Sequence, residues 1–258
     1  MLYVIYVITG VIAGIVGGLL GTGGCALMMP VIRFGFHFDP ALAVGTTLTA
    51  VVFTAASGAV QHWRLKNVDM DTALLTGYSG ILGVIIGSVI FGYLKPYGDL
   101  IDLIIGVAFI IVSLRMLYEG FLARGGQPPV GMAIPGQPLA KTVLGSGIGT
   151  LTGIIGLGGG YALVPSYLYF LRAPMKLAIG TSMAAFVWMA LVGAIFKIYQ
   201  QVVDIPAAVA LGVGALVGAI LGAKLVAKIK PHILKGLFGL LFFYVSLKYI
   251  LLYFQIRI

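Results

Sequence analysis

Ten apolar runs, at about 2–20, 25–36, 41–60, 70–94, 100–122, 141–156, 160–171, 177–199, 205–228 and 233–254, occupy most of this 258-residue chain. Most are too long for strands and lack period-2 alternation, so the pattern predicts helices. Only 9% of the residues are charged, where a soluble domain carries about 25%. That leaves too little polar surface to cover a particle in water, so part of the solvent must be lipid. In lipid each helix closes its own backbone hydrogen bonds. The expectation is an all-α integral membrane protein with about eight transmembrane segments of about 20 residues each. Runs 25–36 and 160–171 are too short to cross alone. Each follows a glycine cluster, which reads as a broken or re-entrant helix.

The net charge of +9 is scattered singly or in short clusters between the runs. That is the footprint of loops on an anionic leaflet rather than of a nucleic-acid interface. The start, MLYVIYVITGVIAG, lacks the basic region of a cleavable signal peptide and reads as a first membrane segment. A single cysteine, Cys25, excludes an intrachain disulfide and a cysteine metal cluster. His37, His62 and His232 have no carboxylate or cysteine at ligand spacing, so neither a metal nor a cofactor is expected.

The halves are repeats. Residues 10–96 align with 145–231, a shift of 135 without a gap, with 25 identities in 87 positions; roughly nine would arise by chance in so biased a composition. Gly21-Thr22-Gly23-Gly24 falls on Gly156-Leu157-Gly158-Gly159, Pro30 on Pro165, Gly45-Thr46-Thr47 on Gly180-Thr181-Ser182, and Asp69 on Asp204. The organisation reads as one transporter domain over 1–258, with repeat 1 at 1–122, a Gly/Pro-rich linker at 123–140 and repeat 2 at 141–258. Equivalent loops carry opposite charge loads. Arg64 and Lys66 follow the third run, whose partner loop in repeat 2 has little beyond a single lysine, whereas Lys224, Lys228, Lys230 and Lys235 follow the ninth, whose partner loop in repeat 1 has a single lysine. The positive-inside rule then predicts an inverted repeat. It gathers those six with Arg115, Arg124, Lys141, Arg172 and Lys176 on one face.

Glycine clusters that break a helix expose the N–H groups and positive dipole end of the short helix that follows. Two such ends meeting inside the membrane make an anion site without a buried lysine. Hydroxyls add donors without charge. The predicted substrate-binding set is therefore Thr22, Gly23, Gly24, Cys25, Thr46, Thr47, Gly158, Gly159, Gly160, Thr181 and Ser182. Thr49, Thr54 and Ser57 share a helix with Thr46 but have no hydroxyl counterpart in repeat 2, and rank lower. The spacings Gly10/Gly14/Gly18, Gly83/Gly87, Gly145/Gly149/Gly153 and Gly214/Gly218/Gly222 read as helix-packing ridges, and such faces also allow a homodimer. Asp69 and Asp204 read as helix N-caps. Arg33, His37 and Lys197 read as snorkelling or loop residues. Trp63, Trp188 and most tyrosines read as interface anchors or packing.

There is no HExxH, GxSxG or P-loop, which excludes an ATP-driven pump and argues against an enzyme. Two other readings stay open: an assembly subunit of a membrane complex, and an intramembrane enzyme using Cys25.

A glycine-rich motif with a proline six or seven residues on, then Ala-(Val/Ile)-Gly-Thr-(Thr/Ser), then a glycine-patterned helix after Val-Asp, all given twice, resembles the sulfite exporter TauE/SafE family. Repeat 2, GIIGLGGGYALVPSYLYFLRAPMKLAIGTS, is the closer match. Repeat 1 departs from it at Thr22 and at Cys25-Ala26. The resemblance implies a multi-pass permease of the cell inner membrane that exports a small anion by alternating access. The implied substrates are sulfite, thiosulfate or an organosulfonate.

Overall fold

The computed structural model describes residues 2–118, 121, 131, 133–156, 160–226 and 228–254. Among them every regular element is helical. The first half holds α1 (Leu2–Leu20), α2 (Cys25–Pro30) running on into a π-helical turn (Val31–Gly35), α3 (Pro40–Arg64), α4 (Met70–Leu94) and α5 (Gly98–Leu117). The second holds α6 (Pro138–Ile155), α7 (Gly160–Tyr169), α8 (Met175–Tyr199), α9 (Ile205–Val226) and α10 (Pro231–Tyr253). Each apolar run became one helix. α6 begins at Pro138, three residues before the run at 141, because proline fits the first helical position, where its missing N–H costs nothing. Among the described residues six helices are long and apolar enough to cross a membrane: α1, α3, α4, α8, α9 and α10.

The glycine ridges set the packing. Gly10, Gly14 and Gly18 of α1 lie against the backbone at Leu211, Ala215 and Ala219 of α9, and Gly214, Gly218 and Gly222 of α9 lie against Val7, Val11 and Ile15. The order is the same along both helices, so α1 and α9 run parallel. Gly145, Gly149 and Gly153 of α6 meet Thr76, Gly80 and Val84 of α4 in the same way. With no hydrophobic gain between helices in lipid, such close backbone approach supplies the van der Waals contact that holds them. The glycine faces that could have served a homodimer are thus occupied inside the chain.

Each half therefore packs its first helix on the fourth helix of the other. At the centre α3 and α8 run antiparallel: Gly58 of α3 meets Met183 early in α8, and Gly193 late in α8 meets Leu48. α3 runs parallel to α9, with Phe53 against Gly212 and Gly58 against Ala219. α4 runs parallel to α8, with Gly77 against Ala185 and Gly80 against Met189. α5 and α10 pair antiparallel through Ser246, whose hydroxyl donates to Gly106 O at 2.8 Å, and through Gly239 against Leu117.

These directions bring the end of α3, the starts of α4, α6 and α8 and the end of α9 to one end of the bundle. Arg64, Lys66, Lys141, Arg172, Lys176 and Lys224 lie there together. Arg124 lies outside the described residues.

Gly149 has the backbone of Gly80 against it, whereas Gly147 has nothing within 4 Å of an added Cβ. Gly149→Leu is expected to abolish the monodisperse peak in detergent size-exclusion chromatography, because overpacking a fixed backbone contact costs about 1–3 kcal/mol or more. Gly147→Leu is expected to elute as the native protein does.

Candidate functional site where two helix breaks meet

Both first helices stop at a glycine. Gly21 follows α1 with φ +75° and donates to Gly17 O at 2.8 Å; Gly156 follows α6 with φ +63° and donates to Thr152 O at 2.9 Å. This left-handed cap is open to glycine at no steric cost. Gly23 and Gly24 are also left-handed, at φ +68° and +81°. They fold the chain back so that Gly24 lies against Ala13 O of α1. Inside the turn Thr22 Oγ1 accepts from the Gly24 N–H at 3.3 Å, and Cys25 Sγ donates to Thr22 O at 3.0 Å.

The breaks touch. Gly160, the first residue of α7, sits so close to Gly21 O and Thr22 Cα that any Cβ would overlap them. Thr22, Cys25 and Gly160 are buried. Gly158 and Gly159 lie outside the described residues.

The four motif hydroxyls divide into two pairs. Ser182 Oγ turns onto the first break, 3.0 Å from Gly21 O, and shares its proton with Ile179 O at 2.8 Å. Its counterpart Thr47 donates to Met29 Sδ of α2 at 3.5 Å. Thr46 and Thr181 do something else. Thr181 Oγ1 accepts from the Asp69 N–H at 2.9 Å, and Thr46 Oγ1 accepts from the Asp204 N–H at 3.0 Å. Asp69 caps α4 through the Thr72 N–H at 3.2 Å, and Asp204 accepts from the Ala207 N–H of α9 at 3.0 Å. α4 and α9 start at opposite ends of the bundle, so Thr46 and Thr181 are not brought together. Each fastens one helix start to the opposite half.

A family model described as sulfite exporter TauE/SafE matches residues 6–249. The chain belongs to the sulfite exporter TauE/SafE family. It is 27% identical to the "Probable membrane transporter protein YdhB" of Bacillus subtilis over 79% of this chain and 82% of that protein. It is 26% identical to YunE of the same organism, over 83% and 85%. A "Probable membrane transporter protein" of Xylella fastidiosa is 28% identical over 93% and 91%. No solved structure matches. The protein is a helical membrane transporter of the TauE/SafE family.

In this TauE/SafE chain two further hydroxyls lie at the break, Tyr161, which the sequence reading passed over, and Thr54, which it ranked lower. Tyr161, the second residue of α7, is 1% exposed and its hydroxyl has no hydrogen-bond partner. Such a donor, kept at the cost of desolvation, marks a place where a ligand can bind. Its counterpart in repeat 1 is Ala26, so the repeat comparison gave it no weight. Thr54 Oγ1 is likewise buried and unpartnered. It lies one turn on from Val51, which touches Gly23, and shares that face of α3 with Thr47. Phe186 of α8, one turn beyond Ser182, covers Gly23 from the other side.

Three charged or basic residues differ from their sequence reading. Arg33 does not snorkel: it forms an ion pair with the buried Asp102 of α5 at 3.0 Å and donates to Phe38 O at 3.0 Å. This ties the π-helical turn to α5. Lys197 and His62 are both fully buried. A lysine late in a span has room to reach the interface, but here the side chain turns inward to α6. An apolar groove of about 480 Å³ between α1, α2 and α10 is lined by Ala26 and Leu27 of the first turn of α2 and by Lys248 of α10.

Thr181→Val removes the acceptor for the Asp69 N–H and is expected to lower stability by about 1–3 kcal/mol. Tyr161→Phe removes a hydroxyl that bonds nothing, and is expected to leave the unliganded melting temperature unchanged or higher. Thermal unfolding of the detergent-solubilised protein, both variants against wild type, checks the pair.

Proposed function

We propose that this TauE/SafE transporter moves a small anion, sulfite or a related sulfur oxyanion or organosulfonate, by alternating access around the paired helix breaks. The reading rests chiefly on the contact between Gly160 and the Gly21-Thr22 turn. It puts the starts of α2 and α7, each the positive end of a helix dipole, beside one another. Thr22, Gly23, Gly24, Cys25 and Gly160 line that junction in the proposal, with Gly158 and Gly159 completing it. Thr47 and Ser182 flank it, and the free hydroxyls of Tyr161 and Thr54 supply donors for anion oxygens. Thr46 and Thr181 act as hinge fastenings rather than as ligands.

The same reading takes the two halves as inverted repeats with eight spans, the six apolar helices together with α5 and α6. Its support is the antiparallel run of α3 against α8 and the basic residues collected at one end, which the positive-inside rule makes the cytoplasmic face of an inner membrane. Rocking of one half against the other would open the junction to each side in turn.

Proteoliposomes preloaded with sulfite, and controls with chloride or sulfate, provide the test. Exchange of labelled sulfite above the empty-liposome rate is expected. Gly160→Leu, which forces the two breaks apart, is expected to abolish it, and Tyr161→Phe to raise KM several-fold. Absence of oxyanion exchange, or wild-type exchange in Gly160→Leu, would refute the site.

A further inference from the structure

A helix that ends at a buried break leaves its last carbonyls without water at the negative end of its dipole. α1 and α6 both end this way, and each end is covered by a nitrogen base from the third helix of its own half, α3 or α8. His62 Nε2 lies 2.9 Å from Gly18 O, and Lys197 Nζ donates to Gly153 O at 2.8 Å. A carbonyl only accepts, so His62 carries its hydrogen on Nε2. The two pairs are repeat equivalents: 62 and 197, like 18 and 153, differ by 135. Each base therefore holds the carbonyl three residues before a break, at Gly21 or Gly156, and the two come from the ends of α3 and α8, helices that run opposite ways.

Both bases are 0% exposed. His62 Nδ1 has no hydrogen-bond partner. Lys197 has the carbonyl of Gly153 and the face of the Phe91 ring, 3.1 Å from Nζ, and no carboxylate. Near the Lys197 end the charged groups on neighbouring elements are Asp39 before α3, Lys95 at the end of α4 and Asp204 before α9. Asp204 is engaged by Ala207, and Lys95 donates to Gln200 O. Near the His62 end they are Arg64, Lys66, Asp69, Asp71, Lys141 and Lys224. Asp69 holds Thr72 and the Ile134 N–H, and Lys141 donates to Thr72 and Ile134 O. None of these groups bonds His62 or Lys197.

In transporters built on broken helices, unwound carbonyls and helix C-terminal ends are where a coupling cation binds. Here the protein's own bases fill both places. We propose that the coupling ion is a proton carried on Lys197 and His62, and that no sodium ion is used. A charged lysine or histidine in an apolar span with no carboxylate beside it is costly. The counter-charge is the transported anion, so proton and anion bind together and cross in the same direction. The inverted placement gives each side of the membrane one of the two bases.

This inference rests on the anion-transport reading, and one experiment separates the two. Proteoliposomes take up thiosulfate or sulfoacetate, anions that stay ionised near neutral pH, under three conditions: no gradient, an outside-acid pH gradient, and an inward sodium gradient against choline. Wild type is expected to exchange the anion in all three. It is expected to accumulate it only under the pH gradient, about tenfold per pH unit for one coupled proton. Lys197→Met is expected to lose the accumulation and, with the anion's counter-charge gone, to slow exchange as well. Lys197→His places in repeat 2 the residue that repeat 1 already accommodates at the same contact. It is expected to fold and to restore accumulation. Accumulation driven by sodium, or undiminished proton-driven accumulation in Lys197→Met, overturns the proton assignment while leaving anion transport standing. No anion exchange in wild type overturns both.

Discussion

Glycine against backbone, repeated at every fourth residue, is the contact on which the rest of this structure depends. Apolar side chains gain nothing by leaving lipid for one another, so helices in a bilayer need another reason to dock. Here α1 fits α9 and α6 fits α4 with no Cβ between their backbones. Because each ridge joins the first helix of one half to the fourth of the other, neither half is a separable body. The chain is an intertwined pair, and the two helix breaks are carried to a common point between α3 and α8 by those cross-half contacts.

The polar contacts follow the same rule of exchange. Asp69 of the first half is held by Thr181 of the second, and Asp204 by Thr46. Two of the four motif hydroxyls, Thr46 and Thr181, thus bolt the halves together. That leaves the junction itself to backbone, to Ser182 and Thr47, and to the uncommitted hydroxyls of Tyr161 and Thr54. The anion site proposed there would have little fixed charge of its own, which suits a carrier that must also release its cargo.

Much of this was legible in the sequence. Run lengths located all ten helices, because apolar length in a membrane protein is set by geometry rather than by context. Gly21 and Gly156 were legible as breaks, since a glycine cluster before a short apolar run has few other uses. The aspartate caps were legible from position alone. Burial was harder to read. Arg33 pairs with Asp102, 69 residues away, and no spacing rule links them. Lys197 sits two residues from the end of α8, where sequence position favours escape to water; only the carbonyl left open by the α6 break turns it inward. A signal did exist, because the repeat alignment places Lys197 on His62, one nitrogen base on another. Tyr161 had no such signal, its counterpart being an alanine.

Central to the account is that the buried junction opens to water during transport. Cys25, the only cysteine in the chain, lies in that junction and is fully buried. Its rate of alkylation by a small membrane-permeant maleimide, followed by mass spectrometry in proteoliposomes, reports the opening directly. Alkylation is predicted to be slow without anion and to accelerate when sulfoacetate, which does not consume the maleimide, is present on both sides and the carrier cycles. A rate that is the same with sulfoacetate as with chloride would contradict an opening junction and the mechanism built on it.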